Sequence, residues 1–116
     1  MAGPIVVSGL LTASNTDILQ GTRLQTVPQG GLLTFEMISN LNDATNNFTA
    51  SIQLPSGDTP LNEVLVPGSN PSLAGVMDDR QKMLITAPVR QGGHTVFSVT
   101  ETGTAILFYS VTYTAA

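Results

Sequence analysis

Apolar and polar residues alternate along much of this chain. The pattern is cleanest from Phe48 to Leu54, where Phe48, Ala50, Ile52 and Leu54 interleave with Thr49, Ser51 and Gln53. Leu33, Phe35 and Met37 likewise alternate with Thr34 and Glu36. A period of two puts one residue set on each face of an extended strand, so each segment predicts a half-buried strand. Further strands are expected over residues 5–12, 22–27, 63–66, 83–87, 94–100 and 104–113. Turn residues separate them: Gly30-Gly31, the Asn-rich run 40–47, Pro55-Ser56-Gly57-Asp58, Pro67-Gly68, Gly92-Gly93 and Glu101-Thr102-Gly103. Helical signal is confined to single turns near residues 16–20 and 71–79. Pro28 and Pro88 cannot donate to a ladder and mark strand ends or edges. The expected fold is all-β: a single-domain β-sandwich or jelly roll of about eight short antiparallel strands over residues 1–116.

A weak internal echo runs through this pattern. Val27-Pro28-Gln29-Gly30-Gly31 precedes Phe35 by the same spacing at which Val89-Arg90-Gln91-Gly92-Gly93 precedes Phe97. Both fit a strand, turn, strand unit with a Gly-Gly hairpin. A Greek-key sandwich of two similar halves would produce such an echo.

Composition narrows the function. The chain has 116 residues, of which only 10% are charged, against ~25% in an average soluble domain. Thr, Ser, Asn and Gln together supply 37 residues. Neutral polar side chains lose less than charged ones when covered, so such a surface suits burial against a neighbour. The net charge is −4, and Arg23, Arg80, Lys82 and Arg90 are the only Lys and Arg residues. Binding to nucleic acid or to an anionic membrane surface draws on clustered basic residues, so neither is expected. There is no cysteine, hence no disulfide or thiolate chemistry. The Met1-Ala2-Gly3-Pro4 start lacks a basic region, so use without secretion is expected. The Asn47-Phe48-Thr49 sequon then reads as a strand start.

Candidate chemistry is sparse. His94 is the single histidine, too few for a metal site of several nitrogen or sulfur ligands, and it reads as a side chain at a strand start. Asp78-Asp79-Arg80-Gln81-Lys82 is the densest charge cluster. It lacks the alternating carboxylates of a calcium loop and reads as a solvated connection or as a polar contact between subunits. Glu36 and Glu101 have no spacing that marks a hydrolytic pair. The Gly-Gly turns lack a phosphate-binding frame. With no Trp, and Tyr109 and Tyr113 on strand faces that read as core, sugar stacking is weakly supported. No cofactor, metal or catalytic residue is expected.

The two ends of the chain stand apart. Residues 1–16 and 102–116 carry no charge, and neither do 44–57 and 64–77. Ile5, Val6, Val7, Leu10 and Leu11 place apolar side chains on both faces of the first strand, and Ile106 and Phe108 add apolar area near the last. We take Pro4, Ile5, Val6, Val7, Leu10, Leu11, Asp78, Asp79, Arg80, Ile106 and Phe108 as candidate interface residues. Residues 1–12 would then act as an apolar arm or interface strand, and the chain as a homo-oligomer.

The whole-chain character, short, free of Cys and Trp, rich in Thr, Asn and Gln, and all-β, resembles the decoration or cement proteins of tailed-bacteriophage capsids. That resemblance implies a non-enzymatic virion protein, assembled in the host cytoplasm. It implies a trimer bound to the major capsid protein on the capsid surface, with a tethering segment for which residues 2–11 are the candidate. A receptor- or carbohydrate-binding module of a phage fibre or tail is the alternative.

Overall fold

A computed structural model describes residues 4–41, 45–67 and 83–115. Within them the chain forms seven strands: β1 Ile5–Leu11, β2 Gly31–Ser39, β3 Asn47–Gln53, β4 Leu61–Leu65, β5 Met83–Val89, β6 Val96–Thr102 and β7 Leu107–Ala115. They make two antiparallel sheets, one of four strands in the order β1-β7-β2-β5 and one of three in the order β4-β3-β6. The fold is the expected β-sandwich.

The alternation read from the sequence becomes the core. Leu33, Phe35 and Met37 of β2, Phe48, Ala50 and Ile52 of β3, Phe97 and Val99 of β6, and Leu107, Val111 and Tyr113 of β7 are all buried. Phe97 joins the sheets. Its ring packs edge-on to Phe35 at 5.2 Å between centroids and edge-on to Tyr109 at 6.1 Å. The buried Tyr113 hydroxyl donates to the Gln29 carbonyl at 2.9 Å, so its polar end is satisfied inside the core.

Two expectations change. Residues 22–27 are not a strand. The Thr22 N–H returns to the Leu19 carbonyl and the Gln25 N–H to the Thr22 carbonyl, both at 3.1 Å, giving consecutive turns. Ile18, Leu19, Leu24 and Val27 drop from these turns into the core. Side-chain burial there is met without a ladder, because this segment crosses one end of the sandwich. The Gly-Gly pairs are not hairpins either. Gly31 opens β2, and Gly92-Gly93 lies on the link from β5 to β6, which belong to different sheets. Gly31 is required there by packing: a Cβ would run into the Thr114 carbonyl.

The echo has a structural counterpart. Strand β2 pairs with β7 in one sheet as β6 pairs with β3 in the other. Exchanging β2 with β6 and β3 with β7 therefore maps one pair onto the other. The link 40–46 is three residues longer than 103–106, and this accounts for the offset between the two registers. The repeated segments meet: the Gly92 N–H donates to the Val27 carbonyl at 2.9 Å, and Phe35 touches Phe97.

Sheet edges are treated unequally. The Asn40 N–H donates to the Ile106 carbonyl, so even-numbered β2 residues point their backbone groups at β7 and odd ones at β5. Followed through the registers, this turns the backbone of Leu84, Thr86 and Pro88 in β5, and of Val6, Ser8 and Leu10 in β1, away from their own sheet. Pro88 thus sits where a missing N–H breaks no ladder bond. The outer edge of β6 is covered by residues 14–18: Asn15 exchanges both backbone bonds with Val99, the Ile18 N–H reaches the Phe97 carbonyl, and the Ser14 hydroxyl accepts from the Glu101 N–H. Edge strand β4 is bulged opposite Ser51, with Glu63 at φ 50.

Candidate functional site

The side chains of the four-stranded sheet that point away from the core form one nearly uncharged face. The registers align them in rows. Leu10, Phe108 and Ile38 form the first row, and Ser8, Ser110, Glu36 and Leu84 the second. Val6, Thr112, Thr34 and Thr86 follow, and Thr114, Leu32 and Pro88 close the face. Among the described residues, Glu36 is the only charged one on it. Thr34 and Thr86 share a hydroxyl hydrogen bond across the strands at 3.3 Å. Large apolar side chains stand in water around this ladder of hydroxyls: Leu84 is 60% exposed, Leu10 53%, Val6 and Leu32 46% and Phe108 44%. A shallow hollow of about 180 Å³ opens beside Glu36, Ile38, Phe108 and Ser110.

The structure divides the sequence candidates. Val6, Leu10 and Phe108 lie on this face. Pro4 is exposed just before β1. Ile5, Val7 and Leu11 turn inward and pack on the core, so β1 is a strand with one covered face. Ile106 is half-buried ahead of β7, where its N–H donates to the Asn40 side chain at 2.7 Å. Asp78, Asp79 and Arg80, and the helical turn expected at 71–79, lie outside the described residues. Leu32, Leu84 and the Thr34, Thr86 and Thr112 hydroxyls were not among the candidates. Their alternation was visible in the sequence, but only the pairing order sets the four strands side by side.

His94 is a fastening between segments. Its Nδ1 lies 2.6 Å from the Gln25 carbonyl oxygen and its Nε2 2.6 Å from Asp17 Oδ2. Both neighbours are acceptors, so only the doubly protonated ring donates to both. The hydrogen bond to Asp17, then the one to Gln25, raises the imidazole pKa above its ordinary 6.5, against an opposing contribution from burial. With both nitrogens engaged, neither is left to activate a nucleophile. Among the described residues, no three His, Asp or Glu side chains converge on a metal position. No helix among them is long and apolar enough to cross a membrane.

Where that face ends at Pro88, an open cleft of about 320 Å³ is lined by Leu54, Pro55, Pro88 and Val89 together with Ser56, Asp58 and Arg90. Asp58 accepts from the Ser56 hydroxyl at 3.2 Å.

No family model matches the chain, and no curated protein matches it in sequence. Among solved structures, it is similar to the C-terminal CBM6 of LamC, a laminarinase from the marine Zobellia galactanivorans. The match has 15% identity and a TM-score of 0.31, and covers 94% of this chain and 79% of that one. A likeness at that TM-score carries no argument about what this chain does.

Proposed function

We propose that the chain is a non-enzymatic assembly domain that docks through the outer face of its four-stranded sheet onto a protein subunit of a larger particle. The observation that supports this reading is the face itself: five large apolar side chains exposed around a ladder of neutral hydroxyls, with one carboxylate. Covering it removes apolar area from water at little cost in desolvated charge. The compositional resemblance to capsid decoration proteins makes the major capsid protein of a virion the proposed partner, and the capsid exterior the proposed location. The mechanism is mechanical: a neutral plate laid across neighbouring subunits resists their separation. Co-sedimentation with purified virion capsids tests it. The chain is expected in the pellet at a fixed stoichiometry, and its absence from the pellet would overturn the reading.

A second reading, a receptor- or carbohydrate-binding module, is supported by the Asp58 and Arg90 cleft. Its apolar lining, with an acid and a base beside it, suits the C–H face and hydroxyls of a sugar. Retention on a glycan array, abolished by Arg90→Ala, would favour it.

A further inference from the structure

We propose that β1 pairs, antiparallel, with β1 of a second copy of this chain, joining two four-stranded sheets into one of eight strands about a two-fold axis at Ser8. This deepens the assembly reading and rests on it, by naming the partner of one edge.

A sheet edge offers unpaired backbone groups to any strand that arrives, and the two sheets have four edges. Three are blunted: β5 by Pro88, β6 by the covering segment 14–18, and β4 by its bulge and the left-handed Glu63. The fourth is β1. It pairs along its whole length with β7 without a register shift, and it contains no proline and no charged residue. Among the described residues, one group reaches its outer edge: the Arg23 guanidinium, which donates to the Val6 carbonyl at 3.3 Å. That contact independently confirms the direction in which Val6, Ser8 and Leu10 turn their backbone.

The occupant follows from the strand's own sequence. Two copies related by a two-fold at Ser8 place Ser8 opposite Ser8 and Val6 opposite Leu10. All three residues present N–H and C=O to the partner, so about six backbone hydrogen bonds form. The side chains meeting across the junction are a small hydroxyl pair and two aliphatic pairs, without like-charge repulsion despite the net charge of −4. Arg23 yields its Val6 contact when the second strand arrives. The arrangement is isologous and closes on itself. It also extends the outward rows that end in Leu10, Ser8 and Val6 from one copy into the next, enlarging the proposed docking face. A two-fold pair stands here in place of the threefold that the resemblance implies.

Light scattering after size exclusion, on the full chain from 1 to 100 µM, tests the pairing. The wild type is expected at twice the 12.1 kDa of one chain. Ser8→Pro removes an outward N–H and no bond to β7, so it is expected to keep the thermal midpoint while weakening self-association at least tenfold. Ser8→Lys sets two ammonium groups against each other at the axis and is expected to give the one-chain mass. It decides the matter should Ser8→Pro fail to fold. A one-chain or three-chain wild type, or a two-chain mass retained in Ser8→Lys, overturns the pairing. Leu84→Lys, at the opposite edge of the same face, is expected to keep the two-chain mass while losing capsid binding. Failure of the pairing is thereby separated from failure of the docking reading.

Discussion

Replacing Phe97 with alanine probes the joint between the two sheets. Phe97 has no exposed surface, and its ring edges meet Phe35 and Tyr109, which come from the opposite sheet. The hole left behind is walled by two backbones held in ladders, so it cannot collapse cheaply. Truncation of a buried Phe costs about 3–5 kcal/mol, and poor collapse favours the middle to upper part of that range. A chain of this length has a total stability of roughly 6–17 kcal/mol, so about 4 kcal/mol is a large share. In urea, with a slope of ~1.5 kcal/mol/M, the unfolding midpoint is expected to fall by about 2.7 M with the slope unchanged. Phe108→Ala is the control. The Phe108 side chain is 44% exposed on the outer face, and its removal is expected to shift stability by no more than ~0.5 kcal/mol. Equal losses in the two variants, or less than ~1 kcal/mol for Phe97→Ala, would refute the assignment of Phe97 to folding and Phe108 to a free surface.

Two further changes test the fastenings. The raised His94 pKa means the folded state holds a proton that the unfolded state releases near pH 6.5. Its stabilisation is therefore complete below pH 6.5 and is lost as pH rises through the higher folded value. Thermal midpoints between pH 6 and 8.5 should decline in the wild type, and His94→Gln should remove that decline; an identical slope in both would contradict the charged pair. Gly31→Ala drives a methyl into the Thr114 carbonyl and should destabilise by about 1–3 kcal/mol, read as a lowered urea midpoint; an unshifted midpoint would contradict the close approach of β2 and β7.

Much of the fold was legible in the sequence where burial is one-sided. Strands β2 and β3 announce themselves because alternate residues enter one core, and Pro88 correctly marked an edge. Residues 22–27 misled because Thr and Val favour strands, while their burial pattern, Leu24 and Val27 in and Gln25 and Thr26 out, is equally met by successive turns. The Gly-Gly pairs look alike in sequence yet do different work: Gly31 admits a close strand, and Gly92 turns the chain between sheets at φ 73. The outer face of the four-stranded sheet was half legible. Val6, Leu10 and Phe108 belong to the charge-free ends, but Leu32 and Leu84 join them only through the order β1-β7-β2-β5, which no local pattern encodes. The His94 and Asp17 pair spans 77 positions and was equally invisible.

The most direct test of the docking account is a binding titration of the folded chain against capsids, comparing wild type with Leu84→Lys between 50 and 500 mM salt. Leu84 is the most exposed of the large apolar side chains among the described residues and contributes little to the core. A neutral apolar face predicts wild-type affinity that holds or strengthens as salt rises, and at least a tenfold loss in Leu84→Lys with an unchanged unfolding midpoint. Wild-type binding that collapses with salt, or full binding by Leu84→Lys, would contradict docking through this face.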